Sequence, residues 1–316
     1  MEGDPFALIE AMTIAGYTTG CERGFIYLRG EYPRSRAVLE EAIKEARSRG
    51  MLGHDVLGHG FEFSISIRRG AGAYICGEET ALFNSLEGFR GEPRSKPPFP
   101  VAVGLFGKPT VVNNVETLVN VPEIVLFGGA AFASAGSGVS TGTRLFCLSG
   151  CVERPGVYEV PYGTKLRTVI DMAGGVAGGR SLQAVLLGGA AGGFVGPDEL
   201  DLELTIEATR EAGATLGSGV VMLIDDRVDL PRMLMRIAAF FRDESCGQCV
   251  PCRVGTVRQE EALARLISGK TRGSVEDELS LLDEIGTCMK DASICGLGQT
   301  AYGAVGSAIK LGAFSR

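Results

Sequence analysis

The sequence predicts a mixed α/β fold in three parts: an α/β layered domain, a small α+β module of ubiquitin-like size, and a C-terminal all-α four-helix bundle. Three observations predict it. Helix-type and strand-type hydrophobic periods alternate through the first part of the chain. Short apolar runs punctuated by glycine follow, and past Arg227 only helical periods remain.

The elements follow in order. PFALIEAMTIAGYTTG (5–20) has a helical apolar rhythm, with Pro5 at its opening and Gly20 at its stop. GFIYLRG reads as a short strand, and PRSRAVLEEAIKEARSRG as an amphipathic helix from Pro33 to Gly50. FEFSISIRRG alternates with period two, as a half-buried strand does. This strand–helix–strand order predicts parallel pairing. Small residues from Gly128 to Gly142 read as a linker, and TRLFCLSGCV, GVYEVPYG and AVLLGG read as strands around a helix at about 164–173. DLPRMLMRIAAFFRDES, VGTVRQEEALARLISGK, SVEDELSLLDEIGTCM and QTAYGAVGSAIKLG read as four helices with short connections. The predicted domains are 1–133, 141–225 and 226–316.

Composition narrows the function. The 316 residues are 45% hydrophobic and 22% charged, which suits a globular chain. The 31 basic residues against 38 acidic ones give a net charge of −7, which argues against a broad nucleic-acid-binding face. The start, MEGDPFALIE, has no secretory pattern. LVNVPEIVLFGGAAFA, interrupted by Asn120, Pro122 and Glu123, is too short and too polar to span a bilayer. The expected location is cytoplasmic, with peripheral docking on a membrane complex left open. Nine cysteines in such a chain do not read as a disulfide framework. Cys21, Cys76, Cys147, Cys151 and Cys288 read as small buried hydrophobes.

The other cysteines carry chemistry. ESCGQCVPCRVGT (244–256) spaces Cys246, Cys249 and Cys252 three apart, at the first connection of the helical part. Structural zinc usually takes two separate pairs of thiolates, whereas a compact triple with a distant fourth cysteine is an iron–sulfur pattern. Cys295 and Cys288 are both candidates for the fourth ligand. Zinc and plain buried thiols are the alternatives. Pro251 is read as stiffening the loop, and Gly247 as letting backbone amides approach sulfur.

Three further stretches bear polar groups on turns. RRGAGAYICGEETALFNSLEG (68–88) passes from a strand through a glycine turn into a helix whose first turn carries Glu78 and Glu79. SKPPFP (95–100) fixes a loop presenting Lys96 and Phe99. KPTVVNNVETLVN (108–120) puts Asn113 and Asn114 just before a helix. Singly, each is equally well explained by local structure, since glutamates favour the start of a helix and asparagine caps one. His54 and His59 in GHDVLGHGF read as solvent-exposed loop residues, and GGVAGG and GGAAGG as tight turns.

The order AYICGEETAL, SKPPFP, VVNNVETL and SCGQCVPC…ICGLG resembles the NADH-binding flavoprotein subunit of respiratory complex I. It also resembles the diaphorase subunits of NAD-reducing or bifurcating hydrogenases and of NAD-dependent formate dehydrogenases. The resemblance covers essentially the whole chain. It implies a Rossmann-like FMN/NADH domain, an SLBB-type ubiquitin-like module and a helical [4Fe–4S] domain. It further implies that Gly77 and Glu78 line the FMN site with Tyr74 close by, and that Glu79 faces the adenosine ribose of NAD(H). A carboxylate there disfavours a 2′-phosphate and so favours NAD over NADP. Lys96 and Phe99 match residues near the dinucleotide, Asn113 and Asn114 match FMN contacts, and Cys246, Cys249, Cys252 and Cys295 match cluster ligands. Cys288 has no matching role and is read as structural.

Family members carry a glycine loop of the type GRGGAGFPTG and an acidic NxDE-type segment upstream. This chain begins at MEGDPF, so the resemblance implies an N-terminally truncated flavin domain. The implied activity is an NADH dehydrogenase (diaphorase). Hydride passes from NADH to FMN, single electrons pass to the [4Fe–4S] cluster, and they leave to a [2Fe–2S] thioredoxin-like subunit and further iron–sulfur subunits. No protein acid or base is required. The alternatives are a flavin-less cluster-carrying relay or assembly subunit, and a zinc-stabilised scaffold.

Overall fold

Local signals near the N-terminus act as expected. In the computed structural model, which describes residues 1–314, helix α1 (Pro5–Thr19) is capped by the Asp4 side chain, which accepts from the Phe6 and Ala7 amides. Gly20 closes it in the left-handed conformation at φ 71°. Strand β1 (Arg23–Leu28), helix α2 (Pro33–Ser48) and strand β2 (Ser64–Arg69) then form a βαβ unit. The strands pair parallel, from Arg23 opposite Ser64 to Leu28 opposite Arg69. Helix α2 buries Leu39, Ala42, Ile43 and Ala46, a three-to-four-residue stripe. That stripe shares a core with Leu8, Ile26, Leu28, Phe63 and Ile65. Both strands therefore end at the same edge, and the turns that follow them meet there.

Helix α3 (Glu79–Leu86) comes next, then an extended stretch to Asn114 and the short helices α4 (Val115–Val119), α5 (Val121–Phe127) and α6 (Gly129–Ala133). Arg94 fastens the extended stretch to α3. Its amide donates to Thr80 Oγ1 at 2.8 Å, its Nε to Asn84 Oδ1 at 2.8 Å and its Nη2 to Glu87 at 2.5 Å. The apolar run around Val121–Phe127 is thus divided among short helices. Among the described residues no helix is long and apolar enough to cross a membrane.

The chain divides into two compact units, residues 1–132 and 133–316. The second opens with a minimal hairpin, β3 (Gly136–Ser137) and β4 (Ser140–Thr141), inside the stretch expected to be a linker. Strands β5 (Thr143–Gly150) and β6 (Gly156–Pro161), helix α7 (Leu166–Met172), strands β7 (Leu182–Leu187) and β8 (Gly193–Val195), helix α8 (Ile206–Glu211) and strand β9 (Val220–Asp225) follow. The five strands lie in the order β6-β5-β9-β7-β8, with β5 parallel to β9 and the other pairs antiparallel. Leu166, Val169 and Ile170 of α7 pack on Phe146, Leu148, Val185, Leu187, Val221 and Leu223.

Helices α9 (Leu230–Glu244), α10 (Val250–Ser268), α11 (Val275–Ala292), α12 (Gly296–Thr300) and α13 (Gly303–Lys310) complete the same unit. Ser307 of α13 accepts from the Phe194 amide of β8 at 2.8 Å, which joins helices to sheet. Three expectations are corrected here. The run QTAYGAVGSAIKLG is two helices, broken where the Tyr302 ring packs on α11 so closely that a Cβ on Gly286 would lie 2.2 Å from it. Helix α10 begins at Val250 with Pro251 in its first turn, so Cys252 is helical and Pro251 starts a helix instead of stiffening a loop. Of the five cysteines read as buried hydrophobes only Cys76 is buried; Cys21 and Cys151 are half-buried, and Cys147 and Cys288 are exposed. Strand alternation explains Cys147, because Phe146 and Leu148 on either side of it point into the core.

One ion pair holds α10 to α11. Arg265 donates to both Glu278 oxygens, at 2.9 and 2.5 Å, and Glu278 is 2% exposed. The guanidinium holds the Glu278 carboxyl below its ordinary value of 4.5. Arg265→Met would strand that buried charge and should cost about 3–5 kcal/mol near neutral pH, measured by urea unfolding. A carboxyl depressed on folding stabilises above its unfolded pKa and loses that contribution as pH falls through the folded one. The difference between wild type and variant should therefore narrow below pH 4.5; a gap that stays constant on acidification would show that the pair is not responsible.

Candidate functional site

Chemistry-bearing residues collect in two places, one in each unit. In the first unit the carboxyl ends of β1 and β2 lead into Gly30–Glu31 and Gly70–Gly72, which line a common depression with Arg69. Ligands bind in open α/β sheets outside the carboxyl ends of parallel strands. The glycines are required by contact. A Cβ on Gly30 would lie 2.6 Å from the Gly70 carbonyl oxygen, and one on Gly70 would lie 2.9 Å from the Tyr27 hydroxyl. Gly72 is left-handed at φ 94° and faces the Glu31 carboxylate. Bare backbone at a strand edge is a cradle that a planar ring or a hydroxyl-rich chain can approach.

The edge continues directly into the predicted ligand residues. Tyr74 opens a short 3₁₀ turn, Tyr74–Gly77, and is largely exposed. Gly77 closes that turn, and apart from its chain neighbours no atom of the described residues lies within 4 Å of where a side chain would begin. Glu78 caps α3, accepting from the Thr80 and Ala81 amides at 2.9 and 2.8 Å and from Thr80 Oγ1 at 2.6 Å. Lys96 reaches across from the proline loop and donates to Glu78 at 3.0 Å and to Glu79 at 2.5 Å. Burial raises the Glu78 carboxyl, but Thr80, the Ala81 amide and Lys96 outweigh it, so the group stays below the usual carboxylate range. Burial lowers the Lys96 ammonium, and the two carboxylates outweigh it, holding the group cationic.

Glu78, Glu79 and Lys96 are thus brought together as one charged triad. Phe99 is exposed on the same proline loop. Asn114 caps α4, its Oδ1 accepting from the Glu116 amide at 2.8 Å. Asn113 is exposed and borders an apolar cavity of about 220 Å³ with Phe25, Leu82 and Leu105. Neither asparagine nor Phe99 shares a hydrogen bond with the triad among the described residues. Gly30, Glu31 and Arg69 escaped the sequence reading; the available signal was the GE that follows the strand in YLRGEY. His54 and His59 lie on the surface, with His54 Nδ1 3.2 Å from Glu62.

The second place is the cysteine pocket. The left-handed Gly247, at φ 78°, turns the chain after Cys246. Cys249 is the N-cap of α10 and Cys252 lies in its first turn, 5% exposed. Cys295 is the N-cap of α12. Burial pushes the Cys252 thiol up to about 11, with Ser245 opposing and the charges of Cys249, Cys295 and Cys246 adding to it. Cys295 is likewise raised by burial, with the backbone at Leu297 and Gly298 opposing and Cys246 and Cys249 adding to it. Cys252 and Cys295 therefore lie near enough to Cys246 and Cys249 for their charges to act on one another, and Cys288 is exposed on α11. Gly298 makes this possible, since a Cβ there would lie 2.9 Å from Cys252 Cβ and 2.3 Å from Ser293 Oγ.

The donor set fits a multi-iron group. Among the described residues no group of three or more His, Cys, Asp or Glu side chains is placed to hold a metal ion. A single zinc requires its four sulfurs at about 2.3 Å from one centre. A [4Fe–4S] cube takes one thiolate on each iron, and Cys246, Cys249, Cys252 and Cys295 supply four.

Comparisons with known proteins place the chain among relatives. The chain matches the family model described as the Nuo51 FMN-binding domain over residues 1–123. It matches an SLBB domain over 145–195 and the NADH-ubiquinone oxidoreductase-F iron-sulfur binding region over 232–312. It is 44% identical over 301 residues to the NADP-reducing hydrogenase subunit HndC of Solidesulfovibrio fructosivorans, covering 95% of this chain and 61% of that one. It is 45% identical to an NADH-quinone oxidoreductase subunit of Rhizobium meliloti (strain 1021), covering 89% and 67%. It is 44% identical to the corresponding NADH-quinone oxidoreductase subunit of Aquifex aeolicus (strain VF5), covering 95% and 69%. A crystal structure of an NAD+-reducing [NiFe]-hydrogenase in the H2-reduced state superposes with a TM-score of 0.84 at 38% identity, covering 97% of this chain and 50% of that one. The chain spans 61–69% of the length of these curated relatives.

Gly298→Ala should open the pocket between Cys252 and Cys295. The expected outcome is a severalfold loss of iron per chain with the far-ultraviolet helical signal retained. Full iron content in that variant would contradict the packing account.

The chain belongs to the complex I 51 kDa family, to which these NADH-quinone oxidoreductase subunits also belong.

Proposed function

We propose that this member of the complex I 51 kDa family oxidises NADH and forwards the electrons one at a time to a partner subunit. The observation that carries the reading is the four-thiol pocket of Cys246, Cys249, Cys252 and Cys295 on a chain whose other unit presents a glycine edge beside a carboxylate–lysine triad. FMN bound at that edge supplies two-electron acceptance with one-electron release, and a [4Fe–4S] cluster on the thiols supplies a one-electron relay.

The chain's own residues bind and orient. Gly30, Gly70, Gly72 and Gly77 keep side chains away from the ligand face, and Tyr74 and Phe99 offer aromatic surface to a planar ring. Glu79 accepts from ribose hydroxyls, and Lys96, held between two carboxylates, fixes where that acceptor points. Asn113 and Asn114 supply amides to the flavin's ribityl side. Electrons leave to a [2Fe–2S] thioredoxin-like subunit and on to further iron–sulfur subunits, with the chain peripheral to the complex that it serves. Its parts are a Rossmann-like flavin domain, an SLBB-type ubiquitin-like module and a helical cluster domain.

The choice of dinucleotide is the sharpest test, because one relative is named as NADP-reducing and others as NADH-quinone oxidoreductase subunits. The protein, purified anaerobically and supplied with FMN, should reduce ferricyanide faster with NADH than with NADPH. Glu79→Gln should shrink that preference about tenfold, mainly through KM for NADPH, because a 2′-phosphate no longer meets a carboxylate; tenfold corresponds to about 1.4 kcal/mol. No oxidation of either dinucleotide by the flavin-loaded protein would leave a cluster-carrying relay. A preference for NADPH in the wild type would remove Glu79 from the ribose.

A further inference from the structure

We propose that the hydroxyls of Ser293 and Ser245 donate hydrogen bonds to sulfur at the Cys252 corner of the thiol pocket and thereby raise the reduction potential of the cluster held there. The inference rests on the reading of the four thiols as cluster ligands.

Ser293 is a buried residue with an unanswered polar atom. It is 6% exposed. Its amide donates to the Met289 carbonyl at 3.1 Å, and its own carbonyl accepts from Gln299 Nε2 at 2.9 Å. Among the described residues its Oγ has no hydrogen-bond partner. Buried polar groups are almost always partnered, and an orphan hydroxyl signals a partner of some other kind. Its direction is set by packing. The point where a Gly298 side chain would begin lies 2.3 Å from Ser293 Oγ and 2.9 Å from Cys252 Cβ. Hydroxyl and ligand stem therefore border the same small gap, on the side of the pocket that Gly298 leaves open.

Ser245 approaches the same cysteine from the other segment. Its Oγ lies 3.2 Å from Cys252 Sγ. It also accepts from the Gly247 amide at 3.3 Å, which occupies a lone pair and leaves its proton for the sulfur. Two hydroxyls, from the α9–α10 connection and the α11–α12 connection, thus converge on one corner. Adding one electron to the cluster places one further negative charge on the iron–sulfur–thiolate unit. Hydrogen bonds to its sulfurs stabilise that charge and favour the reduced form. The serines neither gain nor lose a proton, and no covalent bond changes.

The test is a dithionite titration followed by electron paramagnetic resonance on wild type, Ser293→Ala, Ser245→Ala and the double variant, with iron counted in each. With iron retained, each single variant should have a more negative midpoint potential than wild type and the double variant the most negative. Iron-stripped Ser293→Ala should melt no lower than iron-stripped wild type, because the hydroxyl has no partner among the described residues. An unchanged potential in iron-replete Ser293→Ala overturns the proposal, as does a lower melting temperature of its iron-stripped form. If Ser293→Ala fails to hold iron, Ser293→Thr decides: a cluster at wild-type potential upholds the hydroxyl's role, and loss of iron there too assigns the position to packing. Wild type without iron would sink the cluster reading itself, an outcome separate from a wild-type cluster whose potential ignores Ser293.

Discussion

Four thiols in one partly buried pocket repel one another as thiolates, and burial raises the cost of each charge. The helical half of the second unit is organised around that cost. Cys249 and Cys295 both stand at helix N-caps, and Cys252 sits in the first turn of α10, so helix starts lie at the places where negative charge must reside. The geometry survives only because two chain segments approach to within the width of a glycine at Gly298. Remote contacts keep those segments fixed. Arg265 and Glu278 pin α10 to α11, and Tyr302 lies against Gly286 where α12 turns into α13. A positively charged multi-iron group resolves the remaining repulsion, which makes binding and local stability one quantity.

The first unit meets a different constraint. A ligand edge at the ends of two parallel strands has to be free of side chains and still hold its turns rigidly. The Tyr27 hydroxyl, 2.8 Å from Ser85 Oγ and packed on Gly70, braces that edge from behind. Lys96 does so from the front by binding Glu78 and Glu79 at once. Glu78 caps a helix and also binds the lysine, so one carboxylate links the backbone of α3 to the proline loop. The triad is therefore a piece of structure before it meets a ligand.

Much of this was legible in the sequence where one local rule acts alone. Proline at the opening and glycine at the stop mark α1 and α2, glutamates mark the first turn of α3, and the strand–helix–strand order predicts the parallel pair. The cysteine spacing marks the pocket, but spacing could not choose between Cys288 and Cys295. What separates them is the helix break before Cys295, which places it at the start of α12 and half-buried while Cys288 stays exposed on α11. The split of the last helix was not legible either, because it arises from Tyr302 meeting Gly286 across a tertiary contact. Nor was the exposure of Cys147, which depends on which face of β5 is inward. Gly30, Glu31 and Arg69 became visible as site residues only once β1 and β2 were paired.

The central claim is that Cys295, and not Cys288, completes a four-thiol cluster site with Cys246, Cys249 and Cys252. Iron and zinc should be counted, and the reduced-state paramagnetic resonance signal recorded, for Cys295→Ala and Cys288→Ala beside wild type. About four irons per chain in wild type and in Cys288→Ala, with loss of the cluster signal in Cys295→Ala, is the result expected of a thiolate-bound cube. Zinc in place of iron, or a cluster that survives Cys295→Ala and vanishes in Cys288→Ala, would contradict it.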